Sequence, residues 1–169
     1  MAYALLILIM ALAIPHIPAQ GAEPLPSVAK EYLQLHNQAR SEVGVGPLKW
    51  SEELAHTALR VARYQKINLA CSLTTLKNRK YNGNMAMGLH NKTFTPGVVF
   101  NAWMKNKQYY DYDLNLCQLS RNRCRFYTQV VWRKSLELGC AQATCETAGT
   151  SLYICLYNPP GNIKGERPY

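Results

Sequence analysis

Catalysis or metal binding requires convergent histidines, carboxylates or thiolates, so those residues are considered first. Beyond position 22 the chain has three histidines, His36, His56 and His90. His36 and His56 fall on different predicted helices, and each is read as a hydrogen-bonded structural imidazole. There is no H-E-x-x-H pair, no G-x-S-x-G elbow and no glycine-rich phosphate loop. Asp111 and Asp113 lie in a loop, while Glu52 and Glu53 sit where they favour a helix start, so no carboxylate pair is placed for acid–base work. The six cysteines are Cys71, Cys117, Cys124, Cys140, Cys145 and Cys155. An even set in an oxidising compartment implies three disulfides, with fifteen possible pairings, rather than a nucleophile. Structural zinc would need a second closely spaced pair beside Cys140 and Cys145. The aromatic residues are better suited to binding. Tyr109, Tyr110 and Tyr112 cluster before Cys117, and tyrosine offers an amphipathic ligand an apolar body with a polar tip. The competing reading is a loop packing its own aromatics against the core. Arg121, Arg123 and Arg125 form a basic edge, read as a solvated face.

The elements that must position these residues follow from periodicity and punctuation. Ser27 is expected to cap a helix with Val28, Tyr32, Leu35 and Ala39 on its apolar stripe, ended by Gly44 and Gly46. Ser51 caps a second, with Leu54, Ala55, Ala58, Leu59 and Ala62 inward, fading near Ile67. Residues 71–83 read as a basic loop, with Asn82-Gly83 as the turn before a short strand at 85–89. Thr95-Pro96 starts a third helix, with Val98, Val99, Ala102 and Trp103 inward and Asn106 extending the stripe. For Asn106 the simple account is an amide satisfied by nearby backbone. A tyrosine-rich loop and a short helix or turn around 126–132 come next. Residues 138–143 and 151–157 then form a hairpin across Ala148-Gly149. This order predicts an α+β class, with helices covering a small antiparallel sheet. The closing segment PPGNIKGERPY has no hydrophobic period and is expected to run over the surface as a mobile tail.

The chain has 169 residues, 48% hydrophobic and 17% charged, against roughly 25% charged in an average domain. That composition and length fit one globular unit. Residues 4–14 are an uncharged apolar run followed by Pro15, Pro18 and small residues. They read as a secretory signal over 1–21, cleaved between 19 and 22, and are too short for a span. The remainder, with no second spanning run, is then extracellular and carries no integral membrane segment. Nineteen Lys and Arg against ten Asp and Glu give a formal charge of +9. That favours anionic partners such as acidic cell-wall polymers, while secretion argues against nucleic acid. Asn91-Lys92-Thr93 is a glycosylation sequon in such a chain.

Taken together, the segments L-H-N-Q-A-R (35–40), P-L-K-W (47–50), K-Q-Y-Y-D (107–111), Y-T-Q-V-V-W-R (127–133), G-C-A (139–141) and the ending P-P-G-N-I-K-G-E-R-P-Y resemble the plant pathogenesis-related 1 proteins. These belong to the CAP superfamily of cysteine-rich secretory proteins and antigen 5 allergens. The resemblance spans nearly all of the chain after the leader, and implies a CAP domain over 22–158 folded as an α-β-α sandwich. It also implies disulfides Cys71–Cys145, Cys117–Cys124 and Cys140–Cys155. It further implies secretion to the apoplast, antifungal or anti-oomycete defence, and sterol or other lipid binding.

The family's central cleft usually holds two histidines and two glutamates able to bind a divalent ion. This chain departs at all four places. Phe126 replaces one histidine, Asn106 one glutamate and Gly83 the other, with Asn78 near the second histidine. Amides, a glycine and a phenyl ring make a poor metal site, so no metal or other cofactor and no hydrolytic activity are expected. Phe126 should make the cleft floor apolar. The tyrosine loop retains the aromatic spacing linked to sterol binding in relatives, which marks Tyr109, Tyr110 and Tyr112 with Phe126 as lipid-binding candidates. Residues 159–169 resemble the family's releasable immune peptide, cut between Asn158 and Pro159 and sensed by a receptor, although Leu156 departs from the usual signature. Precursor of that peptide is the alternative function; metal-dependent hydrolase is the weaker one.

Overall fold

The computed structural model describes residues 25–69, 71, 82–89, 94–118 and 123–169. The expected signal segment, Asn78 and the Asn91 sequon lie outside the described residues. Among the described residues, four helices and six strands are ordered α1 (Ser27–Ser41), β1 (Lys49–Trp50), α2 (Glu52–Asn68), β2 (Asn82–Leu89), α3 (Pro96–Met104), β3 (Tyr110–Asp111), β4 (Leu116–Cys117), α4 (Arg125–Val130), β5 (Glu137–Cys145) and β6 (Thr150–Asn158). A short 3-10 turn joins α3 to β3 and another joins β5 to β6. The main sheet runs β1-β5-β6-β2, and β3 pairs with β4 as a separate two-stranded hairpin.

The sheet is mixed rather than wholly antiparallel, because β1 runs parallel to β5, with Lys49 opposite Glu137 and Trp50 opposite Leu138. A two-residue strand carries no alternation, so nothing in its local sequence marks it. The β5–β6 hairpin forms as expected, with Cys140 opposite Cys155. Asn82 and Gly83 are paired with Tyr157 and Leu156 inside β2, so they are not the turn. Central position explains β6, buried without interruption from Ser151 to Tyr157. Its alternate side chains serve two layers, as the period of two in a strand requires. Tyr153, Cys155 and Tyr157 join Tyr32, Ala39, Val99, Phe100, Trp103, Tyr127 and Val130 in the core under α1, α3 and α4. Ile154 and Leu156 join Leu54, Ala58 and Ala62 of α2 on the opposite face. Helices on both faces of the sheet make the α-β-α sandwich, and the fold class is α+β. At Gly139 a Cβ would run into the Ala55 backbone nitrogen, so the absent side chain lets α2 settle onto β5.

Local signals place the helix starts. The Ser51 hydroxyl accepts from the Leu54 amide, and the Thr95 hydroxyl accepts from Val98 with Pro96 in the first turn. Helix α1 begins one residue earlier than expected, with Pro26 at its cap and Ser27 already helical. Its buried face is Ala29, Tyr32, His36, Ala39 and Arg40, while Val28 is exposed. In α3 the buried residues are Val99, Phe100 and Trp103, so Val98 and Ala102 are on the outside. The disulfides are Cys71–Cys145, Cys117–Cys124 and Cys140–Cys155. No described helix is long and apolar enough to cross a membrane.

Candidate functional site

A cleft of about 570 Å³ opens between the β3–β4 hairpin and residues 162–168, with one face of α4 behind it. The segment that reads as a tyrosine-rich loop is thus a tight hairpin, with Tyr110 opposite Cys117 and Asp111 opposite Leu116. The Asp111 carboxylate accepts from the Leu114 amide at 3.0 Å and closes the turn. Within the hairpin the Tyr110 hydroxyl donates to Asn115 Oδ1 at 2.9 Å. The Cys117–Cys124 bridge joins the hairpin to the start of α4. Arg125 and Thr128, three residues apart, share one face of α4 and line the cleft with Trp132, Tyr110, Leu116 and Ile163. Trp132 is buried, and its indole N–H has no hydrogen-bond partner among the described residues.

The closing segment is a bound strap rather than the mobile tail expected. The Gly161 amide donates to the buried Gln129 side chain at 3.1 Å, and Asn82 Nδ2 donates to the Gly161 carbonyl at 3.0 Å. Thr128 Oγ1 donates to Asn162 Oδ1 at 2.6 Å, and Asn162 Nδ2 donates to the Arg125 carbonyl at 3.0 Å. At the far end the Arg133 amide donates to the Pro168 carbonyl at 2.7 Å. Arg167 donates to the carbonyls of Tyr112 and Asp113, Asn115 Nδ2 donates to the Glu166 carbonyl, and Lys134 pairs with Glu166 at 2.9 Å. Most of these contacts use a side chain and none belongs to a strand ladder, so they leave no periodic trace in sequence. Desolvation first, and then Tyr169, pushes the Tyr110 phenol up to about 12, so it stays protonated at physiological pH.

The structure distributes the tyrosines rather than gathering them. Tyr110 lines the cleft. The Tyr112 ring stacks on Tyr169 at 5.0 Å, with the Arg167 guanidinium over it. Tyr169 also meets Tyr110 and Tyr127, and its hydroxyl lies 3.1 Å from that of Tyr127. Tyr109 lies under the Arg123 guanidinium. Phe126 is partly exposed and is not part of the lining of this cleft. It occupies a different face of α4 from Arg125 and Thr128, and its carbonyl accepts from Asn84 Nδ2 at 2.9 Å.

The places where the resemblance implies a metal tetrad offer little to an ion. Gly83 has no side chain, Phe126 has no donor atom, and Asn106 Nδ2 donates to the Ala102 carbonyl at 3.2 Å. Among the described residues, no group of three or more His, Cys, Asp or Glu is positioned to hold a metal ion. Of the four positions implied, the three that are described, Gly83, Asn106 and Phe126, bring neither a carboxylate nor an imidazole. His36 is wholly buried and structural. Its Nδ1 donates to the Tyr32 carbonyl at 2.7 Å, which leaves Nε2 to accept from the Tyr157 hydroxyl at 2.8 Å. Arg40, buried and unremarked in sequence, donates to the carbonyls of Gly46, Val130, Trp132 and Ser135. It fixes the turn after α4 on which Trp132 sits.

Asn158, at the expected cut, is the last residue of β6. Its carbonyl accepts from the Leu136 amide at 2.9 Å and its side chain donates to Glu137 at 2.6 Å. Pro159 is exposed, and its carbonyl accepts from the Ser135 hydroxyl.

The chain is 47% identical over 141 residues to the STS14 protein of Solanum tuberosum, covering 83% of this chain and 65% of that one. It is 41% identical over 153 residues to Pathogenesis-related protein 1 of Arabidopsis thaliana, covering 88% and 89%. Among solved structures, Schistosoma mansoni venom allergen-like protein 4 superposes with a TM-score of 0.66 at 23% identity, covering 86% of this chain and 95% of that one. With residues 33–157 matching the CAP model, described as the cysteine-rich secretory protein family, this chain belongs to that family and is of the pathogenesis-related 1 type.

Proposed function

We propose that this is a secreted plant defence protein that acts by binding a sterol or similar lipid, rather than by catalysis, in the cleft between the β3–β4 hairpin and the strap. The observation that carries the reading is the cleft itself. Its volume of about 570 Å³ falls in the roughly 300–1,000 Å³ range of small-molecule sites. Tyr110, Leu116, Trp132, Ile163 and Pro168 supply apolar wall, while Thr128, Asn162 and Arg125 supply a few polar groups. That mixture suits a rigid apolar body carrying one hydroxyl. Metal takes no part in this reading, since Gly83, Asn106 and Phe126 supply neither carboxylate nor imidazole. Antifungal or anti-oomycete action would follow from removing sterol from a target membrane. The +9 charge supports a tether to acidic wall polymers, and three disulfides support an extracellular location.

The test is titration of the refolded protein with a fluorescent sterol, with zinc or with a chelator, beside Tyr110→Ala/Tyr112→Ala. Expected are saturable, chelator-insensitive binding by the parent and at least tenfold weaker binding by the variant. Binding that needs zinc would sink this reading and favour the metal-dependent one.

A second reading, precursor of a peptide comprising residues 159–169 sensed by a receptor, is favoured by where the sheet ends. β6 stops at Asn158, so a cut there removes the strap without breaking a ladder of the main sheet.

A further inference from the structure

We propose that the strap is a wall of the ligand site, so that holding a ligand and letting the strap go exclude one another. This rests on the lipid-binding reading and adds its regulation. Of the fourteen residues that line the cleft, six belong to the strap: Asn162, Ile163, Lys164, Gly165, Glu166 and Pro168. The opposite wall is the hairpin, and its rings are in turn covered by the strap, through Tyr169 on Tyr112 and Tyr110. Without the strap the cleft keeps only the hairpin and the α4 side, and an apolar ligand there would meet water along the face the strap now covers.

The strap is fastened at two places with different chemistry. Near its start, Gly161 is seated on Gln129 and has no room for a side chain. Near its end, Arg167 grips the hairpin carbonyls of Tyr112 and Asp113 from an exposed position. Between these, Ile163 and Lys164 are exposed, and no backbone ladder holds them. Bonds of this kind open locally at far lower cost than strands of the sheet. A ligand that requires the closed strap must therefore stabilise it, and by reciprocity an open strap must release the ligand. Excision after Asn158 would accordingly free the peptide and abolish lipid capture in one step, and a loaded protein would resist excision.

The experiment uses the full chain, dehydroergosterol as probe, and hydrogen exchange at two reporter amides, Arg133 bonded to Pro168 and Gly161 bonded to Gln129. Sterol at about ten times its Kd should slow exchange at both by about tenfold, since opening is suppressed by 1 + [L]/Kd. Ile163→Glu alters an exposed wall residue without touching the core and should weaken binding at least tenfold. Arg167→Ala should raise exchange at Arg133 and weaken binding several-fold. If the full chain binds sterol saturably, Tyr110→Ala reduces that binding, and neither strap variant nor sterol changes affinity or exchange, the strap is not part of the site and only this inference falls. If the full chain shows no saturable binding, the lipid reading falls and takes this inference with it.

Discussion

At the scale of single residues, the consequential groups are buried polar ones whose bonds fix their protonation. Burial lowers the His36 pKa to about 4, and the nearby Arg40 charge acts in the same direction. The donor–acceptor arrangement agrees, because a neutral ring satisfies both the Tyr32 carbonyl and the Tyr157 hydroxyl. The unfolded chain, titrating near 6.5, binds this proton before the folded protein does. Stability from this residue is therefore complete above about pH 6.5 and is lost as pH falls towards 4, by an amount on the order of 3 kcal/mol. Urea midpoints measured from pH 7 to 4 should show the stability advantage of the parent over His36→Asn shrinking across that window; parallel profiles would refute the assignment. Arg40 makes the complementary point. A single arginine on an amphipathic helix reads as solvated, yet here burial against four carbonyl oxygens lowers its pKa to about 10 and leaves it charged at neutral pH. Three of those four carbonyls lie 90 to 95 positions away, which no local pattern exposes.

Among the elements, what could be read in advance is what local rules govern. Ser51 and Thr95-Pro96 begin helices where capping chemistry says they should, and the β5–β6 hairpin follows from two apolar runs around a glycine turn. The stripe of α3 is as expected at Val99 and Trp103, whereas Val98 and Ala102, which fit a helical period equally well, face outward and packing in the core selects Phe100 instead. Tyr110 was legible as a candidate from its type and spacing, whereas Thr128, Trp132 and Ile163 were not, since the cleft forms only when the strap folds back. Gly161 is the residue on which that fold-back turns. A Cβ there would lie 2.6 Å from Trp132 Cγ and 2.8 Å from Gln129 Nε2. Gly161→Ala should cost about 1–3 kcal/mol, as overpacking usually does, and should raise exchange at the Arg133 amide. Gly46→Ala is the matched control, with nothing within 4 Å and no left-handed backbone. It should be neutral or slightly stabilising. Equal melting temperatures for the two variants would mean the strap yields without cost.

Across the whole molecule, the three disulfides divide the work of stability and site geometry unequally. Their pairing was legible only through family resemblance, because six cysteines leave fifteen choices and spacing alone does not rank them. Cys71–Cys145 spans a sequence separation of 74 and ties the end of α2 to the end of β5 beside buried Leu152. Chain-entropy reasoning gives such a loop about 4.5 kcal/mol, against about 2.5 kcal/mol for a loop as short as that of Cys117–Cys124. The short bridge has a different office, since both of its cysteines line the cleft and it connects the hairpin to α4. Replacing each pair by serines should therefore separate two properties that unfolding would merge. Cys71→Ser/Cys145→Ser should lower the urea midpoint most and leave sterol affinity little changed while the protein remains folded. Cys117→Ser/Cys124→Ser should lose less stability and yet weaken sterol binding more, because the hairpin wall is no longer fixed opposite the strap. If affinity instead tracks stability across both variants, the cleft is an undifferentiated part of the folded domain. If the order holds, the long bridge guards the fold and the short one holds the site.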